Sequence, residues 1–170
     1  AGCELDDDGR IHVMAGTVEQ GQGPTTQFSQ IAADAVGVGM SSMRITLGDT
    51  GAAPYPVPTF SSISTVGTGK AVQLAAEKLR EKICAAAAEA LQTEPGELSV
   101  QGDRVCLTAK PEIGMCLEEV AQHFKNQGLS NLAEASVEWN GETPTILYGY
   151  NAGLVELEVN VETGKVRLMD

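Results

Sequence analysis

Arg10-Ile11-His12-Val13-Met14-Ala15-Gly16-Thr17-Val18-Glu19-Gln20-Gly21-Gln22-Gly23-Pro24-Thr25-Thr26 passes from a strand pattern, through a glycine turn, into the start of a helix. Ile11, Val13, Ala15 and Thr17 alternate on one face, the spacing of a half-buried strand. The glycines let the backbone approach a bulky ligand closely, and the first helical turn offers N–H groups that have no intrahelical partner. Such a turn suits a phosphate-bearing ligand. Beyond it Phe28, Ile31, Ala32, Ala35 and Val36 recur at helical spacing until Gly37 or Gly39, and Met43, Ile45 and Leu47 alternate again. The opening unit is therefore strand, helix, strand.

From Gly48 to Thr65 neither period holds. Pro54, Pro56 and Pro58 stand two apart, each lacking a donor and each biasing the preceding residue to extended backbone, which predicts an extended loop. A hydroxyl-rich run follows, and then the longest helix candidate, about Thr68 to Gln92, with Val72, Ala75, Leu79, Ile83, Ala86 and Ala90 on one side. Its charged residues, Glu77 to Lys82, read as a solvent face, and Pro95-Gly96 ends the element. Leu98 and Val100, then Val105 and Leu107, flank Gly102-Asp103 as a small hairpin. Leu117, Val120, Ala121 and Phe124 mark a third helix before Gly128. Near the end Val155, Leu157, Val159 and Val161 alternate with Glu156, Glu158 and Asn160, and Glu162-Thr163-Gly164 turns into Lys165 to Leu168. Leu132 to Thr145 shows no clear period.

These elements predict an α+β fold, a two-layer α/β sandwich with a mostly antiparallel or mixed sheet and helices packed on one face. A doubly wound parallel sheet is the competing architecture. The charged alternation at Glu156 and Glu158 opposes it, because a strand covered on both faces should be continuously apolar.

At 170 residues, the whole chain is expected to be a single domain, able to bury roughly 70% of its potential surface. The formal charge of −12, from 11 basic and 23 acidic residues, argues against nucleic acid or an anionic membrane as partner. No run approaches the roughly 20 apolar residues of a bilayer span, and no secretory leader is recognisable. Cys3, Cys84, Cys106 and Cys116 form neither a CxxC pair nor a dense disulfide framework, so free buried thiols and a cytoplasmic, reducing location are expected. The abrupt start at Ala1 suggests a piece of a longer polypeptide.

Several polar residues invite chemical roles. Glu19 reads either as a base or, more simply, as a brace for the glycine loop; Asp49 and Thr50 read as shaping the proline loop. His12 and His123 lack a partner at metal-ligand spacing and are expected to be structural. Tyr148 and Tyr150 read as surface or interface aromatics. From the residues alone Gln22 is a loop-bracing or helix-capping amide, and Ser62 and Ser64 are caps for the long helix.

Three blocks, in this order and spacing, change that balance. They are Gly16 to Gly23 followed by Gln30-Ile31-Ala32; Asp49-Thr50 with the Pro54 to Gly69 loop leading into Lys70-Ala71-Val72; and Val155 to Val166. Together they resemble the molybdenum-binding subunit or domain of the xanthine dehydrogenase and aldehyde oxidase family, over about Arg10 to Leu168. Each glycine motif alone would be weak.

The resemblance implies binding of molybdopterin, or molybdopterin cytosine dinucleotide, with molybdenum. Gln22 would reach the region of the metal centre and pterin, with Gly21 and Gly23 allowing close backbone approach; Phe60 and Ser61 would stand near the metal, and Ser62, Ile63 and Ser64 would contact pterin or phosphate. Family members often carry alanine where Phe60 and Ser61 stand here, which leaves the pocket shape and substrate open. The metal is held by pterin sulfurs, so no protein ligand set is expected. No catalytic residue is assigned: the family's catalytic glutamate lies beyond any matched position, and the isolated chain is expected to be inactive. The complete protein would hydroxylate an N-heterocycle or aldehyde with oxygen from water, with the remaining molybdenum-binding region and iron-sulfur and FAD modules as partners. The alternatives are a non-catalytic pterin-nucleotide binding module and a structural assembly subunit.

Overall fold

A computed structural model describes residues 1–53, 59, 63–137 and 152–169. By its internal contacts the chain divides into two compact units, Ala1–Trp139 and Asn140–Asp170.

The first unit opens with β1 (Gly2–Leu5) and β2 (Ile11–Ala15), continues through α1 (Pro24–Val36) to β3 (Met43–Leu47), and then reaches the long helix α2 (Gly69–Leu91). After it come β4 (Leu98–Gln101), β5 (Arg104–Leu107), β6 (Lys110–Cys116), α3 (Leu117–Gln127) and β7 (Leu132–Glu134). One sheet has the order β3-β2-β1-β7; the other is the meander β4-β5-β6. Among the described residues only the β2–β3 pair is parallel, in register Val13 to Ile45, and the pairs β1–β2, β1–β7, β4–β5 and β5–β6 are antiparallel. Parallel neighbours need a crossover long enough to return the chain to the same end of the sheet, and α1 supplies it between β2 and β3. The α+β class with a mixed sheet thus holds, and the doubly wound alternative does not.

The core lies where α1 and α2 meet each other and the four-stranded sheet. Leu5, Ile11 and Val13 from the strands face Phe28 and Val36 of α1 and Val72, Leu79 and Ile83 of α2. Alanines 75, 76, 86 and 87 keep α2 close to its neighbours, and Leu117, Val120 and Phe124 bring α3 into the same cluster. Two details differ from the periodicity. Strand β2 is buried throughout, His12 and Met14 included, because it is an inner strand rather than a half-exposed one. Ala90 is exposed, near the end of α2, where Gln92 takes left-handed backbone and closes the helix before Pro95 is reached.

Of the free cysteines, Cys3, Cys84 and Cys106 are buried as expected, while Cys116 is half-buried. Cys116 caps α3: its sulfur accepts a first-turn N–H while Glu119 Oε2 accepts the Cys116 N–H at 2.8 Å. Burial pushes the Cys3 thiol up to about 12. An acid whose proton is held more tightly in the native state stabilises it below the unfolded pKa and loses that contribution as pH rises through the native one. Between about pH 9 and 12 the loss should reach the order of 4 kcal/mol. Urea titrations across this range should show an alkaline limb that Cys3→Ala flattens; an unchanged slope would assign the limb to other groups.

The second unit contains a hairpin of β8 (Leu157–Val159) and β9 (Val166–Leu168), antiparallel, with Leu157 opposite Leu168 and Val159 opposite Val166. Asn160 Oδ1 accepts the N–H groups of Glu162 and Thr163, fixing the turn.

Candidate functional site

Strand β2 delivers the chain to Gly16, and from there three contacts fasten it to the segment that precedes α2. Thr17 is 1% exposed, and its hydroxyl donates to Thr68 Oγ1 at 3.2 Å. The Val18 N–H donates to Thr59 Oγ1 at 3.2 Å, and that hydroxyl donates back to the Val18 carbonyl at 3.1 Å. Farther on, the Thr65 hydroxyl donates to Gln27 Oε1 at 2.9 Å.

Between these ties the chain makes a self-braced turn. Glu19 Oε1 accepts the N–H groups of Gly21, at 2.8 Å, and Gly23, at 3.2 Å. Gln22 Oε1 accepts the Gln20 N–H at 2.7 Å, while Gln22 Nε2 donates to the Val18 carbonyl at 3.0 Å. Gly21 and Gly23 have φ of +93° and +71°, and a Cβ at either would meet nothing within 4 Å. The glycines are thus required by left-handed backbone, not by crowding, and their surface is open to a ligand. Gly23 is the N-cap of α1 and Pro24 its first residue, so the helix begins without a side-chain cap. Glu19 braces the loop with its carboxylate, as its simpler reading expected.

The second block enters at Ile63 and Ser64. Ser64–Thr68 forms one π turn leading into α2, and Ser64 is buried, its carbonyl accepting the Gly69 N–H. Neither this turn nor α2 has a side-chain N-cap, so Ser64 does not serve as the cap that its position suggested. Phe60, Ser61 and Ser62 lie outside the described residues, as do Tyr148, Tyr150 and the three prolines of the loop. Asp49 shapes its turn, its carboxylate accepting the Gly51 N–H at 2.8 Å. His12 is buried and bonded to Thr46 Oγ1 at 2.8 Å, and His123 meets Glu89 at 3.3 Å across α2 and α3.

The polar groups are amides and hydroxyls, and the backbone N–H groups of Gln20, Gly21 and Gly23 are already taken by the Gln22 and Glu19 side chains. Among the described residues no group of three or more His, Cys, Asp or Glu could hold a metal ion. Such a set fits an organic cofactor that brings its own metal ligands, and the open glycine face leaves room for close approach. Sequence reasoning did not single out Thr17, Thr59, Gln27, Thr65 and Thr68, which stitch the two blocks together. Thr17 has the one readable signal, a hydroxyl on the apolar face of a strand pattern.

A model of the molybdopterin cofactor-binding domain matches residues 1–170. The chain belongs to the molybdopterin cofactor-binding domain family. It is 31% identical over 157 residues to the carbon monoxide dehydrogenase large chain of Afipia carboxidovorans, covering 92% of this chain and 19% of the relative. It is also 31% identical over 169 residues to the xanthine dehydrogenase molybdenum-binding subunit of Escherichia coli O157:H7, covering 96% of this chain and 22% of the relative. Among solved structures, CO dehydrogenase from Oligotropha carboxidovorans superposes with a TM-score of 0.67 at 31% identity, over 79% of this chain and 17% of that one. Quinoline 2-oxidoreductase from Pseudomonas putida 86 shares the fold, with a TM-score of 0.71 at 23% identity over 99% of this chain and 22% of that one. The chain therefore spans about a fifth of the length of these curated relatives. The resemblance carried by the three sequence blocks is borne out. Among the described residues no helix is long and apolar enough to cross a membrane.

Proposed function

We propose that residues 1–170 form a single-domain piece of the molybdenum cofactor scaffold of a xanthine dehydrogenase/aldehyde oxidase-like hydroxylase. The complete hydroxylase would oxidise N-heterocycles or aldehydes with water as oxygen source. The observation that carries this reading is the convergence of two blocks far apart in sequence: the Gly21-Gln22-Gly23 turn and the segment opening at Ile63 and Ser64 are joined through Thr17–Thr68 and Gln27–Thr65. Molybdopterin or its cytosine dinucleotide, with molybdenum, would supply the redox chemistry when bound. The residues assigned to hold it are Gly21, Gln22, Gly23, Phe60, Ser61, Ser62, Ile63 and Ser64. Gln22 offers one amide donor and one acceptor, the glycines admit the ligand to the backbone, and the serines add hydroxyls whose orientation adapts to either partner.

The chain acts with partners: the remaining molybdenum-binding region or subunit, and iron-sulfur and FAD modules that carry electrons away, in the cytoplasm. The second unit supports the first of these. Leu154 is 97% and Val161 93% exposed, and Leu157 and Leu168 also face solvent. A two-stranded hairpin is marginal alone, and an apolar one is completed by further chain. Co-expression with the flanking sequence should yield electron transfer to a dye with an aldehyde or purine panel, and the chain alone should yield none. Turnover by the isolated chain would overturn the partition of the site.

A further inference from the structure

We propose that Gln27 and Thr65 form a positioning relay that holds the Gln22 peptide in register with the start of the second cofactor block; the proposal rests on the reading of the site above. Gln27 is the fourth residue of α1, and two of its groups hold the glycine turn at once. Its backbone N–H donates to the Gly23 carbonyl at 3.1 Å, and its Nε2 donates to the Gln22 carbonyl at 3.2 Å. Its remaining polar atom, Oε1, accepts the Thr65 hydroxyl at 2.9 Å, across 38 residues of sequence. Thr65 follows Ser64 directly, inside the π turn. Of the ties between the two blocks, Thr17–Thr68 ends on the approach to the turn, and Thr59 shares the Val18 carbonyl with the Gln22 side chain, whereas Gln27–Thr65 continues to the Gln22 backbone carbonyl.

The chemistry selects glutamine. A donor is needed toward a carbonyl and an acceptor toward a hydroxyl, and one amide supplies both. A carboxylate keeps the acceptor and repels the carbonyl; an ammonium keeps the donor and cannot receive the hydroxyl. Gln27 is half-buried and lies outside the hydrophobic cluster, so loosening it should leave the fold intact while freeing the turn.

The test uses the complete assembly. Gln27→Glu, Gln27→Ala and Thr65→Val should each lower molybdenum retention after dialysis about fivefold, the factor that one net hydrogen bond carries. Thr65→Ser, which restores the hydroxyl, should keep it. Gln27→Ala combined with Thr65→Val should lose no more than either alone, since both cut one chain of contacts. In the cofactor-free protein, Gln27→Ala should raise amide hydrogen exchange over residues 20–24 with an unchanged melting temperature. Normal retention in the Gln27 variants, while Gln22→Ala reduces it, would overturn the relay alone. Normal retention in Gln22→Ala as well would overturn both the relay and the reading of the site.

Discussion

Replacing Gln22 by alanine should strip the complete assembly of molybdenum and, in proportion, of turnover. Two effects act in the same direction. The amide assigned to the cofactor is removed, and so are its bonds to the Gln20 N–H and the Val18 carbonyl, which hold the turn at 2.7 and 3.0 Å. A hydrogen bond to a charged group contributes about 1.5–3 kcal/mol, so retention should fall roughly tenfold or more. Stability should change little, because Gln22 is exposed and the turn stands outside the core. Gln22→Glu should be intermediate, keeping an acceptor for Gln20 and losing the donor to Val18. Unchanged molybdenum occupancy together with unchanged turnover would remove Gln22 from the site.

Gly114→Ala should produce the largest loss of stability. A Cβ there would stand 2.2 Å from the Val105 carbonyl oxygen and 2.8 Å from Cys106 Cα. Both are backbone atoms of the neighbouring strand β5, at the point where the β5–β6 register shifts between Cys106 and Leu107. No rotamer change relieves such a contact, so the strands must part, and the cost should be about 3 kcal/mol or more. Gly102 is the control. Its φ is +65° and a Cβ would meet nothing within 4 Å, so Gly102→Ala should cost only about 1–2 kcal/mol, the strain of left-handed backbone. Urea unfolding midpoints of the two variants decide the matter; equal losses would mean that β6 can move.

The long elements are readable from periodicity because each carries its own amphipathic record. The stripe Val72 to Ile83 and the group Leu117, Val120 and Phe124 are both buried as their spacing predicts. Strand β1 leaves too short a record: in Gly2-Cys3-Glu4-Leu5 only Cys3 and Leu5 mark an apolar face, yet the strand lies between β2 and β7 and pairs antiparallel with both, which gives the sheet its mixed character. Strand β6 contains Pro111 and Gly114, both poor strand formers, and is tolerated because it is an edge. The Glu156 and Glu158 alternation argued correctly against a doubly wound sheet, although Glu158 belongs to β8, in a separate hairpin. At the candidate site the glycine turn was visible as composition. The contacts joining it to Thr59, Thr65 and Thr68 were not, because which of many clustered hydroxyls faces the turn is decided by tertiary packing.

On the proposed function this chain is one part of a cofactor site shared with further sequence. Molybdenum and released pterin should be measured on the chain purified alone and on the chain co-expressed with its flanking sequence. Near-stoichiometric metal and pterin are expected in the co-expressed protein and none on the isolated chain. Stoichiometric cofactor on the isolated chain would contradict the proposed function and make these 170 residues a self-sufficient binding module.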